Sequence, residues 1–425
     1  MTLSIQNIGR VRADEEANGS FCAEATLNDM EDVPCIEGTA KASMDRPEES
    51  PKLLQQHIDG YPSKVFMPRR GTFSTQLNLR GTTVRGTGAL TSASIIPAGH
   101  HMLKIALGAA TYGTGTTIAL SSTATVLNVT SAAGLTEGGA VVLATGAGGA
   151  LECREIKTIA TNAVTLKYPL SNAPATTGAT SIVYACATIS LGNLDGSTVT
   201  SLQLLVEGLD ALDRWLLKGG QISAPPKFSL QPGTIPTVDW AWLFADHKRA
   251  DGTETSMNPS SSALADQNYA DTSINAVMDS ELRIVTHGAS TLTGTLIDAS
   301  EINIEPNIVY EPHITPGGVN NIKQWVRTRA SGPAVTGNFA LPYESVVWRT
   351  ARDSETAYAL AYQVGSSLAG GGFMISVPHA VVDGFQRETV GGIAGQRVTW
   401  YARLDSQTNT NTSALQKSAL RIHLF

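Results

Sequence analysis

The sequence predicts a mainly β protein: two tandem β-sandwich or barrel units, each with a short helix, and a small all-β domain inserted into the first. Three observations carry this prediction. The tripeptide Val-x-Trp occurs twice, as Val238-Asp239-Trp240 and Val398-Thr399-Trp400, each time closing the same series of helical-looking segment, glycine, extended run and turn. A repeated order of elements ending on one tripeptide reads as an internal duplication. Phe73, Thr75, Leu77 and Leu79 alternate with polar neighbours, the period of a strand with one buried face. Residues 111–187 are dominated by Thr, Ala and Gly, with short β-branched runs between turns. The boundaries that follow are 1–110 with 188–250 for the first unit, 111–187 for the insert, 251–272 for a polar linker around Asn258-Pro259-Ser260, and 273–425 for the second unit.

In chain order, residues 1–60 are acidic and irregular, with Glu31-Asp32, Glu37-Gly38 and Glu48-Glu49 between small residues, and read as an extended arm. Such a segment buries too little apolar surface to order itself, so it is expected to dock on a neighbouring copy. A short helix is expected from His101 to Gly108, after Pro97 and before its glycine stop. In the insert, Thr125–Val129, Ala140–Leu143, Ala163–Leu166 and Ser181–Tyr184 read as strands of a self-contained domain that projects to solvent and is dispensable for assembly. Leu205, Leu209, Leu212 and Leu216 fall at helical spacing, with Glu207 and Asp210 early, Arg214 and Lys218 late, and Gly219-Gly220 as the stop. They predict a helix. An extended segment then leads into Val238–Phe244. The second unit repeats the scheme, with strands at Glu281–Val285, Thr291–Ile297 and Ile302–Tyr310, a helix over Glu355–Val364, an extended run Phe373–Pro378, a turn near Gly391 and Gly395, and a closing strand Ala419–Phe425.

Composition narrows the function. Of 425 residues, 42% are hydrophobic, enough for a core in each unit, but only 16% are charged, against about 25% in ordinary soluble domains. A chain that buries its exterior against copies of itself fits this profile. The net charge of −7 is uneven, since residues 65–104 hold Arg69, Arg70, Arg80, Arg85 and Lys104 and no acid. Met1–Glu15 lacks the apolar core of a signal peptide, and no run of about twenty apolar residues exists to span a membrane. Cys22, Cys35, Cys153 and Cys186 lack metal-ligand spacing and read as small buried hydrophobes of a chain made in a reducing cytoplasm.

Catalytic patterns fail one by one. Gly365-Ser366-Ser367-Leu368-Ala369 lacks the last glycine of a nucleophile elbow, and Gly146-Ala147-Gly148-Gly149 lacks the helix and Lys-Ser/Thr of a phosphate cradle. Glu305 and Glu311 could flank a glycosidic bond, although solvated strand positions explain them as well. His100, His101, His247, His287, His313 and His379 show no ligand spacing. The expectation is a non-enzyme with no catalytic, cofactor-binding or metal-binding residues.

Four features together resemble the tail tube (major tail) proteins of long-tailed bacteriophages. They are the arm with Glu37-Gly38-Thr39-Ala40; the Val65–Arg80 strand region and the helix after it; the Ala119–Tyr184 insert with Glu152-Cys153-Arg154-Glu155-Ile156; and Phe228-Ser229-Leu230-Gln231-Pro232-Gly233-Thr234-Ile235-Pro236 leading into Trp240. The likeness covers nearly the whole chain as a pattern and an order. It implies tandem tail-tube-type units in homotrimeric, pseudo-hexameric rings stacked into a virion tail, with tape measure, terminator and distal tail proteins as partners. Genomic DNA would pass through the lumen without specific binding, no membrane would be engaged, and synthesis would take place in the host cytoplasm. A lumen of negative potential is expected, with the arginines of 65–104 outside it or at subunit contacts, because fixed cations would bind phosphates. Two alternatives stand beside this reading: a carbohydrate-binding or carbohydrate-cleaving tail fibre or adhesin, and a head–tail connector or capsid decoration protein.

Overall fold

The computed structural model describes residues 2–5, 8–16, 21–22, 30–33, 35–45, 48–49, 65–66, 69–79, 81, 100–145, 150–176, 181–192, 200–208, 214–231, 233–250, 280–287, 295–329, 332–343, 345–365, 372–405 and 414–425. The expected linker 251–272, the glycine loop 146–149, residues 366–369 of the elbow-like stretch, Arg80 and Arg85 lie outside the described residues. The protein is mainly β: the described residues are 62% strand and 7% helix, with three helices among them, and the sheets are antiparallel.

The first run of elements is β1 (Thr2–Ile5), β2 (Ile8–Glu15), β3 (Glu31–Asp32), β4 (Lys41–Asp45), β5 (Glu48–Glu49), β6 (Val65–Phe66), β7 (Arg70–Asn78) and α1 (His100–Leu107). Next come β8 (Gly108–Tyr112), β9 (Thr116–Thr117), β10 (Val126–Asn128), β11 (Ala140–Ala144), β12 (Leu151–Ala160), β13 (Ala163–Leu166), β14 (Ile182–Ala185) and β15 (Ala187–Leu191). The chain returns through β16 (Leu202–Gly208), β17 (Arg214–Ile222), β18 (Lys227–Leu230) and β19 (Thr237–Ala250). The last run is β20 (Ser280–Thr286), β21 (Thr295–Ile297), β22 (Glu301–Pro306), β23 (Ile308–Val319), β24 (Ile322–Arg329), β25 (Val335–Leu341), α2 (Val347–Asp353), β26 (Ala357–Val364), β27 (Phe373–Val390), β28 (Ile393–Ala402), α3 (Ala414–Lys417) and β29 (Arg421–Leu424).

Two sets of six strands pair in the same order. In the first the neighbours run β2, β16, β17, β19, β7, β4. In the second they run β20, β26, β27, β28, β25, β22. Each order visits the chain alike: three strands, a helix, then three more. The registers correspond too, because Val238 and Trp240 face Leu77 and Thr75 while Val398 and Trp400 face Phe339 and Gly337. On β18 and β27, Phe228 faces Val238 and Phe385 faces Val398. Val238, Trp240, Val398 and Trp400 are buried and Asp239 and Thr399 are not, so the alternation that sets a strand's inner face is the same in both.

The two sets are sewn together in three places. β18 pairs β19 on one side and β22 on the other, with Phe228 opposite Ile304 and Leu230 opposite Ile302. β29 lies between β27 and β15, and β15 also pairs β8. The β23–β24 hairpin reaches back over the first set. Trp325 Nε1 donates to Gly219 O at 2.8 Å, Asn320 Nδ2 to Asp246 Oδ1 at 2.9 Å, and Arg327 to Gly192 O and Leu107 O at 2.8 and 2.9 Å. One apolar cluster runs through both sets and includes Phe73, Leu107, Leu217, Phe244, Ile304, Trp325, Phe339 and Trp400.

Three expectations need correction. Where a helix was expected over Leu205–Leu216, the described residues form the antiparallel pair β16–β17, with Leu205 opposite Leu216, and residues 209–213 lie outside the described residues. The helix over Glu355–Val364 is strand β26, and the helix of this region is α2, which begins at Val347. Both strands are covered on two faces, which makes their apolar positions continuous rather than alternating. Leu204, Val206 and Leu217 enter the main core while Leu205 and Leu216 pack with Met30. Leu360, Tyr362 and Val364 enter the core while Ala359 and Ala361 meet the insert. The described residues of the N-terminal arm are the third correction, since they belong to the chain's own sheet: β1 pairs β4, and β2 lies between β3 and β16 with Val11 and Ala13 buried. Glu15 of this arm finds its partners within the chain. Burial works against the Glu15 carboxylate, but hydrogen bonds from His101 and Lys104 hold it at about 2.

The insert does not simply project into solvent. Its six-stranded sheet has one apolar cluster of its own around Leu127, Val141, Ile156 and Leu166. The opposite side, with Val142, Cys153 and Tyr168, is packed on Val285, Ala359, Met374 and Phe425 of the second set. Its removal would therefore uncover an apolar face.

Gly219, expected to stop a helix, sits at a bulge of β17 with φ +63°. Its N–H donates to buried Glu16, and a Cβ there would come within 2.5 Å of Cys22 Sγ. Gly219→Ala should lower stability by about 1–3 kcal/mol in denaturant unfolding, the cost of a non-glycine residue in left-handed backbone. An unchanged midpoint would contradict the bulge.

Candidate assembly surface

A sheet edge exposes unpaired backbone donors and acceptors, and that makes it the first place to look for a partner. Among the described residues, β27 beyond Val382 is paired only on its β28 side. Asp383, Gln386 and Arg387 are exposed there, and Gly384 and Phe385 are half-buried. The Phe385 ring is capped by guanidinium groups, Arg349 at 5.5 Å and Arg352 at 5.0 Å from its centroid. Both arginines belong to α2, whose start leaves Val346 79% and Val347 57% exposed. A second segment beside β7 runs from Cys35 through a turn at Glu37–Thr39 to Lys41. Cys35 bridges Leu77 and Ile36 N–H donates to Gln76 O, so the inner side of this segment is bound to β7 while Glu37, Gly38 and Lys41 are exposed.

Next to the β18–β22 seam the sheet presents a polar face with a cleft of about 500 Å³, lined by Lys227, Asn303, Glu305, Asn338, Asp383 and Tyr401 among others. Beside this lining stands Arg397. Its guanidinium donates to Glu301 and Glu388 at 2.9 Å each and to Asn338 at 2.6 Å. These bonds raise the arginine's pKa and lower that of Glu301. Arg397 is thus matched by two carboxylates, while Lys227 is exposed on the same face.

Of the residues singled out for chemistry, His287 and His379 meet, as do the sequence neighbours His100 and His101, but the set does not share one site. Glu305 is on β22 of the large sheet and Glu311 on β23 of a separate hairpin. His100 is buried, hydrogen-bonded to Tyr112 at 2.9 Å, and burial pushes its pKa down to about 3. His101 contacts Glu15, His247 packs edge-on against Trp215, and His287 stacks on His379 at 4.0 Å. His313 lies on β23. Among the described residues no group of three His, Cys, Asp or Glu could hold a metal ion, and the four cysteines are free thiols. Arg69 pairs with Asp246 at 3.4 Å and Arg70 donates to Ala245 O at 3.2 Å, so both serve the β7–β19 end of the sheet. No helix among the described residues is long and apolar enough to cross a membrane. No protein-family model matches this chain, and no curated protein matches it.

Sequence reasoning missed the polar network that fixes the insert to the second set. Arg421, on β29, is 1% exposed and donates to Glu155 of β12, which also accepts from Ser376 and lies 3.4 Å from Lys167. Burial pushes the Glu155 carboxyl up, but Arg421 first and then Lys167 hold it at about 2. Arg154 likewise joins Glu152 at 2.7 Å and Glu281 at 3.0 Å. The one sequence signal was the charged Glu152–Glu155 run inside a β-rich insert with only three other charged residues, Glu137, Lys157 and Lys167.

Arg421→Met should cost about 3–5 kcal/mol by stranding a buried carboxylate, and Glu155→Gln added to it should return much of the loss. Because Glu155 has its folded pKa depressed, its contribution is full above the ordinary value of 4.5 and fades as pH falls toward about 2. Equal losses for the single and double variants in urea titration would contradict this role.

Proposed function

We propose that this chain is a structural virion protein, a tail tube subunit of a long-tailed bacteriophage whose copies close into rings and stack around a channel for the genome. One observation carries the reading: the same six-strand order occurs twice in the chain, with the two sets joined edge to edge through β18 and β22. These sets are the tandem tail-tube-type units of the proposal. A unit that offers one edge forward and one backward makes head-to-tail contacts, which close into a ring when the rotation allows. Three chains then supply six equivalent positions. Tape measure, terminator and distal tail proteins are the further partners, and the work of the chain is mechanical rather than enzymatic.

The polar face fits a wall along which DNA slides. Each phosphate neutralised by a cation would strengthen binding through counterion release; Arg397 of this face is held by Glu301 and Glu388, and exposed Lys227 shares its cleft with Glu305 and Asp383. The carbohydrate-binding alternative loses ground because sugar sites present aromatic platforms. All six tryptophans are buried, none more than 6% exposed.

Purified protein viewed in negative stain should form hollow rings or tubes, and sedimentation with duplex DNA at physiological salt should leave the DNA in the supernatant. Protein that stays monomeric at every concentration and ionic strength would overturn the proposal, as would tight, salt-sensitive DNA binding.

A further inference from the structure

We propose that Lys167 of the insert and Asp405, just past β28, condense into an isopeptide bond between Lys167 Nζ and Asp405 Cγ, with Glu155 as the group that moves the proton. The proposal goes beyond the assembly reading and does not depend on it.

The fold brings together the three side chains that such a reaction needs. Lys167 follows β13 directly, Glu155 lies on β12, and Asp405 comes from the other side of the insert's docking face. Lys167 Nζ stands 3.4 Å from Glu155 Oε1 and 3.7 Å from Asp405 Oδ2. Arg421 Nη2 lies 3.5 Å from the same Asp405 oxygen, and Arg421 Nη1 donates to Glu155. His287 Nε2 faces the other Asp405 oxygen at 4.0 Å. The group is withdrawn from water, with Glu155, Asp405 and Arg421 buried and the Lys167 side chain 13% exposed. The main chain pins both reactants, since Lys167 N–H donates to Glu155 O at 2.8 Å and Asp405 N–H to Lys417 O at 3.2 Å. An amine and a carboxyl group held this close in fixed orientation need no encounter, which is a large part of what makes amide formation slow in water.

Every atom has a destination. Burial works against the Glu155 carboxylate, but Arg421 and Lys167 keep it ionised, so it is ready to take a proton from the Lys167 ammonium. The amine attacks Asp405 Cγ, the C–N bond forms, and Arg421 meets the negative charge that develops on Oδ2. The proton held by Glu155 and one more from the nitrogen pass to Oδ1, which leaves as water. The amide nitrogen keeps its last hydrogen, and Glu155 ends ionised as it began. No oxidant or activating reagent enters the balance.

The product suits its surroundings better than the reactants do. Two buried ions become one neutral amide, and buried ions carry a heavy desolvation cost. Glu155 and Arg421 remain as a matched pair, with Ser376 donating to Glu155 and Arg421 donating to Leu415 O at 2.7 Å and to Gln416 O. The bond ties the insert to the second set, so a force that peels the insert away loads a covalent link.

The full chain, purified and denatured for intact-mass spectrometry, should weigh one water less than its sequence requires. Digestion should yield a branched peptide joining Lys167 to Asp405. Lys167→Arg and Asp405→Ala should return the full sequence mass, with circular dichroism reporting that each is folded. Asp405→Asn should give the same linked product as the wild type, because ammonia leaves in place of water. Glu155→Gln should slow linking by roughly 100-fold or more after refolding, and equal rates would overturn the role of Glu155. Wild-type protein at full sequence mass, with Lys167 and Asp405 recovered in separate peptides, would overturn the bond whether or not any variant folds. A water loss that persists in Lys167→Arg would overturn it too.

Discussion

A strand at the edge of a sheet leaves half its backbone donors and acceptors without a strand partner, and the β18–β22 ladder is where this chain removes that problem for both halves at once. Everything else is arranged around it. β18 continues the line of β17 past Ile222, and Ser223 N–H still donates to Ala241 O across the break, so β19 stays continuous beneath the seam. The β23–β24 hairpin then locks the joint from the other side through Trp325, Asn320 and Arg327. A joint made largely of backbone ladders sets register tightly, because a slip of one residue would turn Phe228 and Ile304 out of the core.

The strands at the centre of each set were the hardest to read from the amino acids. Leu205 and Leu216 obey a helical spacing, yet they are cross-strand neighbours on an outer face covered by Met30. Periodicity separates helix from strand only where one face is wet, and β16, β17 and β26 have none. β7, with its clean alternation of Phe73, Thr75 and Leu77, was legible because its other face carries Thr72, Ser74 and Gln76. α1 was legible for a local reason, since Gly108 takes φ +94° where the helix ends. The Val-x-Trp pair was a sound signal of matching strands, but the elements around it were misnamed.

Burial of charge marks where the insert belongs. A free-standing domain would carry ordinary polar residues on both sheet faces, whereas here Glu155, Arg154 and Arg421 are buried together with their partners from distant parts of the chain. Such networks add little net stability over an apolar contact of the same shape, but each member left alone is costly. They therefore fix one docking geometry. The insert closes the outer face of β26 and β27 much as Met30 closes that of β16 and β17, and the two sets reach the same burial by different means.

In the proposed function, one chain holds two equivalent stations of a closed ring. Averaged end-on electron micrographs of the assembled protein measure this directly through rotational symmetry. Six similar wall densities related by true threefold symmetry, with the insert recurring at every second one, is the result the account predicts. A ring of six whole chains, or an assembly with no relation between the two halves of the chain, would contradict it.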